Sequence, residues 1–186
     1  MFSFKGQNFS LCYFVFGYIH NHSDIYLGVI MIAIDLICVG NIKEKFFCDA
    51  LSEYQKRLKA FCNLNIIEIK ETNYFNPTFS EIEKIKIDEG KKIISKMGKF
   101  NVLLSLNGKE FTSTELSNYI LNKQNETSKL TFIIGGSYGV SQEVEDKSDF
   151  KLSFSHLTFP HQLMRVIFLE QLYRSFTIMY NKSYHK

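Results

Sequence analysis

The chain has 186 residues, enough for one ordinary domain around a single large core. Charged residues make up 22% of it, a globular balance that excludes an intrinsically disordered chain. The net charge of +3 lies entirely in residues 161–186, where four Lys or Arg residues stand against one Glu. Such a basic end fits a phosphate backbone and a solvated tail equally well.

The first thirty residues are separated in pattern from the rest. Residues 9–19, FSLCYFVFGYI, form an apolar run that is too short for a membrane-spanning helix, which needs about 20 residues. A signal peptide is not supported by a convincing cleavage site after this run. We therefore predict that the domain begins at Met31. Residues 1–30 are then either an extension outside the fold or the result of a translation start assigned too far upstream. A membrane-anchored form that uses the apolar run is the remaining variant.

The four cysteines show neither a C-x-x-C pair nor clustering with histidine. This spacing argues against a zinc ribbon and a disulfide scaffold, and it favours a reducing cytoplasm. Cys38 and Cys62 lie in apolar runs and are predicted to be small core residues. His20 and His22 could form a metal pair, but no third ligand lies nearby in the sequence, so we predict no metal site.

From Met31 onwards, apolar runs alternate with amphipathic stretches. The apolar runs predict strands at residues 31–40, 63–71, 101–106, 130–136 and 150–154. Helical spacing predicts helices at residues 42–60, 80–97, 113–121, 141–148 and 161–180. Ser80 and Glu83 form a capping box that opens the second helix. Strands that are apolar throughout and alternate with helices predict an α/β fold, in which helices sandwich a parallel sheet.

Ligands of such sheets lie beyond the carboxyl ends of the strands, which selects the loops after Leu106, Ile134 and Phe154. The first two loops carry glycines, in NGK at residues 107–109 and GGSYG at residues 135–139. Neither matches a dinucleotide fingerprint or a P-loop. On pattern alone, tight turns without a ligand are at least as good an interpretation.

The third loop, FSHLTFPH at residues 154–161, contains no carboxylate and no lysine. Its apolar side chains could wall a flat aromatic ligand while main-chain groups make the polar contacts. Pro160 suits the first turn of the helix that follows. The alternative is that the apolar residues belong to the core, which we prefer for Leu157. His156 and His161 are interpreted as structural residues of the loop.

Two arginines occupy the last predicted helix. Arg165 and Arg174 are nine residues apart, about 900° of rotation, so they leave opposite sides of the helix. They cannot both face one pocket unless a second copy of the chain supplies one of them. Glu170 lies four residues before Arg174, and an ion pair within the helix is the simplest interpretation of Arg174.

Four segments of the sequence carry a resemblance to a known family. They are LSLNGK at 104–109, FIIGGSYG at 132–139, LSFSHLTFPHQLMRVIFLEQLYR at 152–174 and SYHK at 183–186. In order and spacing, the chain from Met31 to Lys186 resembles the bacterial ribosomal RNA large-subunit methyltransferase H family, of the SPOUT class. The resemblance implies an S-adenosylmethionine-dependent enzyme that methylates N3 of a pseudouridine in 23S rRNA. It also implies that the sheet ends in a deep C-terminal trefoil knot, a rare exception to the rule of unthreaded chains.

The resemblance places the cofactor in the three loops selected above. By motif, the implied contacts with S-adenosylmethionine are Leu104, Gly135, Phe154, Ser155, His156, Leu157, Thr158 and Phe159. The family is homodimeric, and the partner chain completes the site. A partner would account for the two opposed arginines.

The basic C-terminal end is predicted to serve the RNA substrate. We predict that Tyr184, His185 and Arg165 shape the nucleotide pocket, because they are the titratable or anion-binding groups that cluster with the basic tail. His185 is the leading candidate for handling the N3 proton. Three further basic residues are predicted RNA contacts: Arg174, Lys182 and Lys186.

The chain shows no separate RNA-binding module, so recognition is predicted to depend on the assembled ribosome rather than on the sequence of free RNA. Two alternatives remain open. One is a different knotted methyltransferase that acts on tRNA, and the other is a non-catalytic ribosome-binding module that uses the basic tail. Calorimetry with S-adenosylmethionine separates the module from both enzymes.

Overall fold

The computed structural model describes residues 31–72 and 74–184. The predictions for residues 1–30, including the apolar run and the histidine pair, therefore lie outside the described residues, as do those for His185 and Lys186. Among the described residues, no helix combines the length and apolarity that crossing a bilayer requires.

Five strands and five helices form the described part of the chain, and each corresponds to a predicted element with shifted ends. The strands are β1 (Ile32–Val39), β2 (Cys62–Ile69), β3 (Asn101–Glu110), β4 (Lys129–Ile134) and β5 (Phe150–Ser153). The helices are α1 (Lys45–Leu58), α2 (Phe79–Ile94), α3 (Ser113–Glu126), α4 (Gln142–Asp146) and α5 (His161–Met179).

The strands form one sheet in the order β2-β1-β4-β3-β5, and every neighbouring pair is parallel. Alternate residues of β1 point to opposite faces. Leu36 packs in a core with α1, α3 and α5, whereas Ile37 packs in a second core with α2 and α4. Both faces are therefore covered, which confirms the predicted α/β sandwich and explains why β1 is apolar apart from Asp35. The knotted path of the chain stays a prediction from the resemblance.

Helix α2 begins one residue earlier than predicted and uses a different cap. The sequence fits the capping-box pattern twice, at Thr78–Glu81 and at Ser80–Glu83. The first pair forms the box: the Thr78 amide donates to Glu81 Oε2 over 2.8 Å, and Thr78 has the extended backbone of a cap. Glu83 instead pairs with Lys86. The predicted Ser80–Glu83 box is therefore wrong, because Ser80 already lies inside the helix.

Strand β3 does not end before Asn107 and Gly108, as predicted, but continues to Glu110. Its pairing with β5 shifts between Leu104 and Lys109, so the residues between them form a bulge. A Cβ atom on Gly108 would lie 2.5 Å from the carbonyl carbon of Leu152. Glycine is needed here because β5 approaches closely, not because the chain turns with positive φ.

Cys38 and Cys62 are buried, as predicted. Burial raises the pKa of each thiol to about 12, so neither forms a thiolate at neutral pH. Both act as small apolar residues, Cys38 near the carboxyl end of β1 and Cys62 at the amino end of the neighbouring strand β2.

Candidate functional site

A cavity of about 350 Å³ opens at the carboxyl edge of β3, β4 and β5. Its wall comes from residues 103–107, from five residues of the segment 134–140, and from the loop after β5. His161 and Met164 of α5 close the remaining side. The loops selected after Ile134 and Phe154 therefore meet around one cavity, as expected for a parallel sheet, whereas residues 103–107 belong to the bulged strand β3 and not to a loop after Leu106.

Seven of the eight predicted cofactor residues line this cavity: Leu104, Gly135, Phe154, Ser155, Leu157, Thr158 and Phe159. His156 does not belong to the wall. Its side chain is 88% exposed, and its Nε2 lies 3.6 Å from a carboxylate oxygen of Glu110. The structure thus gives His156 no place among the cofactor contacts of this cavity.

A local turn presents apolar side chains to the cavity. The Ser153 hydroxyl donates to the Ser155 carbonyl over 3.1 Å, and the Leu157 amide donates to the Ser155 hydroxyl over 3.0 Å. These hydrogen bonds pair polar groups of the loop with one another, as in a Ser/Thr turn. Leu157 remains 69% exposed and lines the cavity, so its interpretation as a core residue is wrong. Phe154 packs edge-on against Phe168 and anchors the start of the loop.

The glycines after β4 permit both a turn and close packing. Gly139 has a φ of +83°, and its amide donates to the Gly136 carbonyl over 3.0 Å, which closes a tight turn. A Cβ atom on Gly135 would lie 2.8 Å from Cγ1 of Val140. Both Gly135 and Val140 line the cavity, so the glycine lets the backbone itself form part of the wall.

A buried carboxylate lies next to this glycine turn. Glu89 of α2 is 3% exposed, and its Oε1 accepts a 2.8 Å hydrogen bond from the Thr72 amide. Its Oε2 would lie 2.9 Å from a Cβ atom on Gly136. Burial raises the pKa of Glu89, and the nearby Glu71 raises it further. Sequence reasoning missed Glu89, since a Glu within a charged helical stretch carries no signal of burial.

Replacement Glu89→Gln is expected to raise the free energy of unfolding at neutral pH and to leave it almost unchanged near about pH 4. The folded pKa lies above the ordinary value of 4.5, so the stabilising contribution of the protonated carboxyl is complete below that value and is lost as the pH rises through the folded pKa. Glutamine cannot ionise and keeps an oxygen for the Thr72 amide. Urea unfolding at both pH values measures the difference.

The control is Glu143→Gln, which removes an exposed carboxylate 3.7 Å from Lys147. It is expected to change unfolding little at either pH. A Glu89→Gln effect of the same size at both pH values would contradict ionisation of Glu89 as its cause.

Arg165 has a different role from the predicted one. Its side chain is fully buried, and Nη1 donates to Glu68 Oε1 over 2.9 Å. Nη2 donates to the carbonyls of Val39 and Gly40, each over 2.7 Å. These bonds tie α5 to the carboxyl ends of β1 and β2, one helical turn from the cavity residue His161. In this chain, Arg165 is therefore a structural clamp behind the cavity and not a nucleotide contact.

The C-terminal tail lies against the other end of α5. The Tyr184 hydroxyl donates to Glu170 Oε1 over 3.2 Å, and the Arg174 guanidinium carbon lies 4.9 Å from the centre of the Tyr184 ring. Glu170 also pairs with Arg174, as predicted from their spacing. Burial and the neighbouring Tyr54 hydroxyl raise the pKa of Tyr184 to about 12, so the phenol stays protonated at neutral pH and can donate a hydrogen bond.

The tail does not reach the cavity as far as the structure describes it, which is to Tyr184. Nine residues of α5 separate His161 at the cavity from Glu170 at the tail, which is about 13 Å along a helix axis. Tyr184 and Arg174 are absent from the cavity wall. Lys182 is exposed, and its backbone amide donates a hydrogen bond to the Thr177 carbonyl at the end of α5. The predicted nucleotide-binding residues therefore belong to two separate places on the described chain.

Sequence reasoning also missed parts of the cavity wall. Glu145 lies there and forms a 2.6 Å ion pair with Lys151. Val140 and Met164 are further wall residues. Their place after the fourth strand and at the start of the last helix is the signal that could have found them. Within residues 31–72 and 74–184, no three His, Cys, Asp or Glu side chains gather as metal ligands would.

Comparison with known proteins places this geometry in a family. A family model described as "Predicted SPOUT methyltransferase" matches residues 32–185. A protein of Fusobacterium nucleatum is 50% identical over 154 residues, which cover 82% of this chain and 99% of that relative. A protein of Carboxydothermus hydrogenoformans is 45% identical over 157 residues, with the same two shares. Both relatives carry the name "Ribosomal RNA large subunit methyltransferase H".

Among solved structures, a probable methylase family protein from Haemophilus influenzae superposes with a TM-score of 0.47 at 11% identity, over 84% of this chain and 71% of that one. A likeness this weak adds nothing to the sequence relationship. The family model spans every described strand and helix, including the loops that form the cavity. The chain therefore belongs to the SPOUT methyltransferase family.

Proposed function

We propose that this protein transfers the methyl group of S-adenosylmethionine to N3 of a pseudouridine in 23S rRNA. The observation that supports this most strongly is the meeting of the LSLNGK, IIGGS and FSHLTF segments around one cavity. The substrate part of the proposal draws on the resemblance and on relatives that carry the name of a ribosomal RNA large-subunit methyltransferase.

The cavity fits the chemistry of the cofactor. Its volume of about 350 Å³ lies within the range of small-molecule sites. Leu104, Leu157 and Phe159 supply apolar walls for an adenine ring, and Gly135 leaves the backbone accessible for polar contacts. When bound, S-adenosylmethionine supplies an electrophilic methyl group. The residues of the chain then have two tasks, which are to hold the acceptor nitrogen in line and to manage its proton.

The groups proposed to act on the nucleotide lie in the C-terminal tail. Tyr184 stays protonated at neutral pH, so we assign it a hydrogen-bond donor role and not that of a base. His185 remains our proposal for the acceptor of the N3 proton. We assign RNA contacts to Arg174, Lys182 and Lys186, whose charges lie in the same tail region.

The separation of tail and cavity supports a homodimer. Tyr184 lies beside Glu170, whereas the cavity is closed by His161 and Met164 near the opposite end of α5. We propose that the tail of each protomer reaches the cavity of its partner, so that two chains complete each site. This arrangement gives the opposed Arg165 and Arg174 separate tasks. The substrate would be 23S rRNA within the assembled ribosome in the cytoplasm.

Two measurements test the proposal. Calorimetry should show saturable binding of S-adenosylmethionine to the protein, and mass spectrometry should show that a strain lacking the gene loses one methyl group on a 23S rRNA pseudouridine. No binding heat together with no protection against thermal unfolding would overturn the cofactor assignment. A loss of methylation from tRNA alone would overturn the substrate assignment.

Replacement Leu157→Ala is expected to weaken S-adenosylmethionine binding by about tenfold, because burying a leucine side chain against a ligand contributes about 1.5 kcal/mol or more. Leu157 is 69% exposed, so its truncation leaves no cavity in the core and should not lower the unfolding temperature. Ile87→Ala on α2 is the matched control, since Ile87 is 48% exposed and lies away from the cavity. Equal affinities of the two variants would contradict the placement of the cofactor.

A further inference from the structure

Arg57, in the last turn of α1, is held in a fixed position by three neighbours. Its Nε donates to Glu53 Oε1 over 2.8 Å. Its guanidinium carbon lies 5.5 Å from the ring centre of Tyr54 and 5.7 Å from that of Tyr173. The side chain nevertheless remains 40% exposed. An arginine that is both ordered and exposed has already lost much of the rotamer freedom that binding a ligand would cost.

The outer edge of this guanidinium is available to a ligand. Within residues 31–72 and 74–184, the terminal nitrogens Nη1 and Nη2 of Arg57 have no hydrogen-bond acceptor. The Glu53 carboxylate occupies Nε alone. The two remaining nitrogens present parallel N–H groups in the geometry that binds two oxygens of a phosphate. An anion with paired oxygens is therefore the ligand that suits this side chain.

Two further cations, Lys56 and Lys59, lie at the same end of α1, but about 100° and about 200° around the helix axis from Arg57. Lys56 and Lys59 line a shallow hollow with Ser52 and Gln55, beside the edge strand β2. Among the described residues, neither lysine has a carboxylate partner. Three cations thus lie in the last turn and end of α1, and only Arg57 is neutralised in part. An extended polyanion fits such an array better than a single small anion does.

This cationic end of α1 adjoins the C-terminal tail. The ring of Tyr173, on which Arg57 lies, has its centre 4.9 Å from that of Tyr184. The guanidinium carbon of Arg174 also lies close to the Tyr184 ring, 4.9 Å from its centre. A strand of RNA that reaches Tyr184 would therefore pass within reach of Arg57, and its backbone phosphates have the required charge and geometry.

We propose that the end of α1 is a backbone-phosphate binding surface for the RNA substrate, in which Arg57 binds one phosphate through Nη1 and Nη2 while Lys56 and Lys59 attract the adjoining backbone. This inference rests on the proposed function, because it takes RNA as the substrate. It adds a contact surface on a helix that none of the sequence motifs had singled out.

The test compares Arg57→Gln with Lys45→Gln. Both residues are basic, both lie on α1 and both pair with a carboxylate four residues away, but Lys45 lies at the opposite end of the helix. The KM for assembled ribosomes that lack the methyl group is measured over a series of KCl concentrations. Arg57→Gln should raise KM about tenfold at low salt and reduce the slope of log KM against log salt by about one. Lys45→Gln should leave both close to wild type.

Arg57→Lys refines the assignment, because lysine keeps the charge and loses the paired N–H groups. It should restore the salt slope and only part of the affinity. The dissociation constant for S-adenosylmethionine should be the same in all three variants.

Three outcomes would overturn the inference. They are an unchanged slope for Arg57→Gln, an equal loss for Lys45→Gln, and a KM change explained by weaker self-association of the variant in ultracentrifugation. A wild-type protein that does not methylate assembled ribosomes would overturn the proposed function instead, so the two failures are distinguished by the wild-type measurement alone.

Discussion

Removal of residues 184–186 is expected to lower the rate of methyl transfer by about 100-fold or more, while the dissociation constant for S-adenosylmethionine stays within a few-fold of wild type. The rate should fall because this segment contains Tyr184 and the proposed proton acceptor His185. Affinity should be preserved because Tyr184 lies outside the cavity wall and its partner Glu170 lies about 13 Å along α5 from His161. Single-turnover transfer to assembled ribosomes and calorimetry measure the two quantities.

A mixing experiment tests whether the tail acts on the partner. The truncated chain keeps its cavity, and Leu157→Arg keeps its tail but replaces an apolar wall residue of the cavity with a cation. Each homodimer should be nearly inactive. If the tail works across the dimer, random mixing should restore activity to about a quarter of all sites, because half of the dimers then contain one intact pair.

The control for mixing is Tyr184→Phe, which loses the hydrogen bond to Glu170 but keeps the ring between Tyr173 and Arg174. It should retain more activity than the truncated chain. If activity does not recover after verified subunit exchange, each chain builds its own site. If the truncated homodimer turns over at the full rate, the tail has no part in catalysis.

The sheet and the cavity were predictable from sequence because both depend on local pattern. A strand buried on both faces is mostly apolar, as β1 is apart from Asp35, and parallel strands place their following loops at one edge. The loops after β4 and β5 could therefore be selected before their contacts were known, whereas residues 103–107 were selected as the approach to a loop and lie in the bulged part of β3. The role of Gly108 could not, because its requirement comes from the backbone of Leu152, more than forty residues away.

Side-chain roles were less predictable where a long-range partner decides them. Arg165 looked like an anion-binding residue of a basic helix, and helical spacing placed it correctly on the side opposite Arg174. Its acceptors, however, are Glu68 and two carbonyls at the end of β1, which no periodicity reveals. The burial of Glu89 was hidden for the same reason. In both cases the type of residue suggested exposure, and the tertiary fold supplied the partners that allow burial.

Replacement Arg165→Met is expected to lower the free energy of unfolding by about 3 kcal/mol, since it removes the guanidinium that donates to the carbonyls of Val39 and Gly40 and to the partly exposed Glu68 carboxylate. It should also weaken S-adenosylmethionine binding by about tenfold or more. The clamp holds the second turn of α5, and a shift of about 1 Å in groups that position a reactant can cost about 100-fold in rate. Urea unfolding and calorimetry below the unfolding transition measure both effects.

Ser117→Ala separates positioning from general destabilisation. The buried Ser117 hydroxyl donates to the Ser175 carbonyl over 2.8 Å and joins α3 to α5 far from the cavity. Its loss should cost about 1–2 kcal/mol of stability and leave cofactor affinity unchanged. Glu68→Gln keeps an oxygen for Arg165 and should retain affinity within a few-fold. If Arg165→Met binds the cofactor as tightly as Ser117→Ala when both are folded, Arg165 stabilises the fold alone and does not position the cavity wall.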